Sequence, residues 1–159
     1  MQVRIIAVGK IKEKFLSEGI AEYEKRLGPY LNVSFCEITE EKKRGAIKEG
    51  QVSAQKEREG ERILAAIPDQ AYVVVLDVRG KELSSESFAA RIRDLQLAGT
   101  SQVIFVIGGD AGLSDKVLAR AAFRLSLSPM TFTHQMVRLI FMEQLYRACR
   151  INNGEPYHK

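Results

Sequence analysis

Two stretches of the chain are apolar almost without a break: residues 71–77, AYVVVLD, and residues 102–108, QVIFVIG. A strand that shows one face to water alternates apolar and polar residues. A strand without alternation is covered on both faces, as inside a parallel sheet flanked by helices. Parallel neighbours cannot be joined by a tight turn, so the residues between them must cross the sheet, and a helix is the usual crossing. Here Ser84 suits a helix N-cap, and the helical pattern runs from it to about Ala98.

The rest of the chain repeats this alternation. Gln2–Val8 reads as a first strand, followed by an amphipathic run with Leu16, Ile20, Tyr23 and Leu27 at helical spacing, stopped at Gly28-Pro29. Asn32–Ile38 alternates as a second strand, and residues 124–128, RLSLS, form a short fifth candidate. There is no internal repeat or long linker, so residues 1–159 are expected to form one domain. The fold class this predicts is α/β, a three-layer sandwich around a mostly parallel sheet.

Composition narrows the function classes. Apolar residues make up 45% of the chain, which suits a globular protein and not a disordered one. No apolar run approaches the roughly 18 residues of a membrane span. The four-residue apolar stretch near the N-terminus is too short for a secretory signal core, so a cytoplasmic protein without a membrane partner is expected. Cys36 and Cys149 stand alone, outside any metal-ligand spacing, and read as free buried thiols. With only two histidines, the sequence suggests no metal centre. A net charge of +4 and a pI near 9.1 admit an anionic partner without requiring one. Residues 40–62 hold seven Lys or Arg and six Glu, so this nearly neutral segment reads as a solvated helix behind a mobile loop, with no specific role.

Two segments hold candidate chemistry. In VIGGDAGLSDKVL, a buried strand ends at Gly108-Gly109 and passes through Asp110-Ala111-Gly112 into a helix that Ser114 can cap. Ligands of such sheets bind beyond the carboxyl ends of strands, where glycine lets a ligand touch the backbone. A turn that needs glycine only for its dihedrals explains the segment equally well. The Gly-Gly-x-x-Gly spacing is not that of a dinucleotide site, and no Lys-Ser/Thr follows as in a P-loop. In LSLSPMTFTHQMVRLIFMEQLYRACR, Thr133 can cap a helix whose stripe of Val137, Ile140, Phe141, Leu145 and Ala148 is widened by Met136, Leu139 and Met142. So wide a stripe belongs in a deep core or in an interface with a second copy of the chain, and the dimer is the favoured reading. Glu143 and Arg147 are spaced to pair, whereas Arg138 and Arg150 lack partners within the helix and are candidates for phosphate contacts or for solvent. His134, in the first turn, reads as fixing a loop before it reads as a catalyst. Asn152-Asn153-Gly154 stops the helix. By residue type alone, the last three residues, Tyr157, His158 and Lys159, read as a frayed tail.

The string IGGDAGLSDKVL, followed by LSLSPMTFTHQMVRLIFMEQLYRACRINNGEPYHK, closely resembles the ribosomal large-subunit pseudouridine N3-methyltransferases, a compact family within the SPOUT class. IIAVGKIKEKF and VVVLDVRGKELSSESFA resemble it too, so the likeness spans the chain. One departure is Thr133, where the family usually has proline. The resemblance implies a C-terminal trefoil knot that holds S-adenosylmethionine against Leu76, Gly108 and the loop Leu127, Ser128, Pro129, Met130, Thr131, Phe132. It implies a homodimer, no metal cofactor, and large-subunit ribosomal RNA in the assembled ribosome as substrate. It also turns the tail into a reactive tip: Tyr157 to stack on a splayed base, His158 to hydrogen-bond it or take its proton, and Lys159 to meet a phosphate. Two alternatives remain open, a ribosome-associated binding protein without catalysis and a SPOUT enzyme acting on transfer RNA.

Overall fold

The computed structural model describes residues 1–41 and 49–157. Their elements run in the order β1 (Gln2–Val8), α1 (Lys14–Leu27), β2 (Asn32–Ile38), α2 (Glu49–Ala65) and β3 (Tyr72–Glu82), then α3 (Ser85–Leu97), β4 (Gln102–Ile107), α4 (Asp115–Arg120), β5 (Phe123–Ser126) and α5 (His134–Asn152). The strands form one five-stranded sheet in the order β2-β1-β4-β3-β5, with every pairing parallel. The expected α/β sandwich is the fold observed.

Both faces of the sheet are covered, which is why the central strands show no polar alternation. Along β4, Val103, Phe105 and Ile107 join the core beneath α1, α3 and α5, while Ile104 and Val106 join the core beneath α2 and α4. Each of these five residues is at most 3% exposed. The predicted caps form. Ser84 accepts from the backbone N–H of Ser87, Ser114 from that of Val117, and Thr133 from that of Met136. The structure contains α1, with its stop at Gly28, and β2, with the predicted bounds.

Two expectations need correction. The third strand continues past Asp77 to Glu82, with a shift of its register on β5 between Leu76 and Lys81. Gly80 permits this, since a Cβ there would stand 2.7 Å from the Arg124 carbonyl group. The charged helix α2 is not simply solvated: Glu59 and Ile63 are 1% and 2% exposed, and Gln55 is buried beside them. The expected mobile loop before it falls largely on residues 42–48, outside the described residues. Of the two thiols, Cys149 is buried and Cys36 only half-buried. Among the described residues, no helix is long and apolar enough to cross a membrane.

Candidate functional site

A crevice of about 670 Å³ opens beyond the carboxyl ends of β4 and β5, against the middle of β3. Its floor is the glycine turn after β4. Gly109 and Gly112 bridge to each other, with the Gly112 N–H donating to the Gly109 carbonyl at 3.0 Å. Gly112 has φ +81°, a left-handed backbone that favours glycine. At Gly109 a Cβ would come within 2.9 Å of Val8 Cγ1, so the turn is pressed onto the end of β1. Both glycines therefore have a steric reason to be there, and Gly108 also lines the open space.

The opposite wall comes from the loop after β5. The Ser126 hydroxyl donates to the Ser128 carbonyl at 3.1 Å, and the Met130 N–H donates to Ser128 Oγ at 2.9 Å, which curls the chain around Ser128. Leu127, Ser128, Met130, Thr131 and Phe132 then face the crevice, across from Leu76 at its other side. Met130 and Phe132 are 75% and 42% exposed and form an apolar lip. The eighth residue expected here, Pro129, belongs to the same loop but not to the crevice lining.

Polar groups that the sequence did not assign to the crevice complete the rim: Lys56, Asp77, Arg79, Asp110 and His134. Asp77 accepts from Arg124 Nε at 3.1 Å and from the Arg79 backbone N–H at 3.1 Å. Burial would raise its carboxyl pKa, but the Arg124 hydrogen bonds, the backbone donor and the two arginine charges outweigh this and hold it below the usual range. His134 Nδ1 lies 2.7 Å from Asp110 Oδ1 and so links α5 to the glycine turn, the loop-fixing contact read from its place in the first helical turn. Asp77 carries a sequence signal as the polar end of an apolar strand. Lys56 carries none, because its helix read as solvated.

The arginines of α5 are partnered. Arg138, a candidate phosphate contact or solvated side chain, is instead 2% exposed and donates to the carbonyls of Val8 at 2.9 Å and Gly9 at 2.5 Å. Arg150 pairs with Glu155 at 2.6 Å, outside the helix, and Arg147 pairs with Glu143 at 2.5 Å as its spacing predicted. The tail is fastened as far as it is described. Tyr157 packs edge-on against Tyr146 at 5.0 Å, lies under the Arg147 guanidinium and donates to Glu143 Oε1 at 3.1 Å. Burial first, then hydrogen bonds with Tyr23 and Glu143, push its hydroxyl pKa well above the ordinary value. Tyr157 is thus neither frayed nor at the crevice of its own chain. His158 and Lys159 lie outside the described residues.

Comparison with known proteins agrees with this architecture. Solved structures of similar fold include a "probable methylase family protein" from Haemophilus influenzae Rd KW20, with TM-score 0.55 and 15% identity, covering 96% of this chain and 66% of that one. Another is a "probable methyltransferase" from Bordetella pertussis Tohama I, with TM-score 0.56 and 16% identity, covering 93% and 96%. A protein of Methanoregula boonei named "Putative ribosomal RNA large subunit methyltransferase H" is 70% identical over the full length of both chains. Proteins named "Ribosomal RNA large subunit methyltransferase H" from Halothermothrix orenii and Clostridioides difficile are 52% and 50% identical, again over the full length of both. The family model described as "Predicted SPOUT methyltransferase" matches residues 1–158. Matched from end to end in this way, the chain belongs to the SPOUT methyltransferases, in the branch of the ribosomal RNA large subunit methyltransferases H.

Proposed function

We propose that this protein transfers a methyl group from S-adenosylmethionine to N3 of a pseudouridine in large-subunit ribosomal RNA of assembled ribosomes, working as a homodimer. One observation carries the reading: Leu76, Gly108 and the 127–132 loop, far apart in sequence, converge on one crevice. The names of the full-length relatives support the ribosomal substrate.

The residues present fit the methyl donor. The crevice lies in the size range of small-molecule sites, and its apolar walls and exposed loop backbone suit a flat adenine ring. Its rim carries both signs of charge, Asp77 and Asp110 beside Lys56 and Arg79, which suits a donor that carries a carboxylate as well as cationic groups. When bound, the donor supplies an electrophilic sulfonium methyl group. The chain's own task is to hold the attacking nitrogen in line and to relieve it of its proton. Tyr157, His158 and Lys159 are assigned to that task, with Tyr157 as the ring meant to stack on the base. Anchored on Glu143 and Tyr146, Tyr157 serves the crevice of a second copy and not its own. The dimer forms where Met136, Val137 and Ile140 of α5 stay half-exposed next to the Phe132 lip.

Mass-spectrometric mapping of ribosomal and transfer RNA from a deletion strain, with and without added protein, tests the assignment. A methylated pseudouridine that is lost from the large subunit and restored by the protein is the expected result. Loss confined to transfer RNA would move the substrate, and no change in either RNA would leave a binding protein.

A further inference from the structure

The turn that floors the crevice has a second side. At the carboxyl ends of β1, β2 and β4, one ligand atom each from Glu40, Asp110 and His134 lies within 4.8 Å of the other two. Glu40 and His134 flank Gly9, whose φ of +82° favours glycine. A Cβ at Gly9 would stand 3.5 Å from Glu40 Oε2 and 3.7 Å from His134 Nε2, so the missing side chain leaves a notch between carboxylate and imidazole.

The place is also topologically distinct. From β1 the chain moves to β2 on one side, and from β4 it moves to β5 on the other, so the two central strands diverge here. Such switch points are where open parallel sheets bind ligands. A buried carboxyl group lies close by. Glu59, 1% exposed, sits with Oε1 3.8 Å from where a Cβ of Gly109 would be, and its Oε2 has no hydrogen-bond partner among the described residues. Glu40 is one of the charges acting on it. The nearby Arg138 guanidinium is turned to the carbonyls of Val8 and Gly9.

We propose that Glu40, Asp110 and His134 form a binding site for one divalent transition-metal ion of the Zn²⁺ or Mn²⁺ kind. An imidazole among two carboxylates favours such an ion over Mg²⁺ or Ca²⁺, which take oxygen ligands. Ligand bonds of about 2.1 Å place donor atoms roughly 3.4 Å apart in a tetrahedral site, so small side-chain rotations close the observed spacing. Glu59 stays outside this set. The ion ties the ends of β2 and β4 to the first turn of α5. Sequence spacing could not show the site, because its three residues come from three separate segments.

Calorimetric titration of the full-length, chelator-treated protein with Zn²⁺, and electron paramagnetic resonance with Mn²⁺, test the proposal in the presence of millimolar Mg²⁺. The expected result is saturation near one ion per chain, weakened about tenfold or more by Glu40→Gln and by Asp110→Asn. Asp110 is half exposed, so its isosteric substitution should leave the circular dichroism spectrum unchanged. Equal saturation in the wild type and both variants would place the ion elsewhere and overturn the proposal, as would the absence of saturable uptake.

Discussion

Glu59 shows how one side chain can set a pH dependence. Burial, joined by the charge of Glu40, raises its carboxyl pKa above the ordinary value, although Gln55 and the Glu41 backbone pull the other way. The folded chain therefore holds this proton to higher pH than the unfolded chain does. The associated stability is fully present below the unfolded pKa of about 4.3 and is lost as pH rises through the folded value. A glutamine cannot titrate. In metal-free buffer Glu59→Gln is thus expected to raise the urea midpoint at pH 7, with the advantage shrinking toward pH 4. A constant difference across that range would mean that the Glu59 charge is not what sets it. The neighbouring Arg138 illustrates what residue type conceals. An arginine without an i±4 partner reads as free for phosphate or solvent, but the carbonyls that hold this one end a strand far away in sequence. Of the crevice residues, Gly108 is legible as a candidate from its place at the carboxyl end of a buried strand, whereas Leu76 and the 127–132 loop are legible only through family resemblance, because a pocket built from three segments leaves no spacing signal.

At the scale of elements, the sequence reads well where one pattern decides and poorly where two surfaces meet. The unbroken apolar runs of β3 and β4 declare a sheet covered on both faces, and hydroxyl caps fix the starts of α3, α4 and α5. The continuation of β3 to Glu82 was hidden, since VRGKE has no strand pattern and pairs only because Gly80 lets β5 approach. The helix α2 was misread for a similar reason: its charges mask a narrow buried face. Two glycines test that face. At Gly60 a Cβ would stand 2.3 Å from Ser114 Oγ, whereas at Gly50 nothing lies within 4 Å. Helix propensity alone favours alanine over glycine by up to about 1 kcal/mol at an interior position. Gly50→Ala is therefore expected to stabilise by a few tenths to about 1 kcal/mol. Gly60→Ala is expected to destabilise by about 1 to 3 kcal/mol, because α2 must move off α4 to make room. Chemical denaturation of both variants decides this, and stabilisation by both would show that α2 packs loosely.

For the whole molecule, the decisive geometry is the length of α5. His134 at its start lines the crevice, while Tyr157 is fastened to Glu143, Tyr146 and Arg147. From His134 to Glu143 the helix alone spans roughly 14 Å at about 1.5 Å per residue. A tail so anchored is poorly placed to serve its own crevice. In the proposed dimer, a second copy docked on the half-exposed Met136, Val137 and Ile140 would bring another crevice to it. The wide apolar stripe is only partly used within one chain: Phe141, Met142, Leu145 and Ala148 are fully buried, and in the proposed dimer the helix's first turns would meet the partner. Mixing two inactive variants tests this arrangement. One lacks His158 and Lys159 but keeps Tyr157, since that ring is part of the packing. The other is Gly108→Val, whose branched side chain would fill the crevice floor, where even a Cβ comes within 3.1 Å of Leu113. Each alone is expected to lose methyl transfer to ribosomes by about a hundredfold or more, as loss of a positioned proton-transfer group does. Unfolded and refolded together, they form some dimers that pair an intact crevice with an intact tail from the opposite chain, and activity returns. If each tail served its own crevice, no mixed dimer would contain a complete site, and the mixture would stay as inactive as its parts.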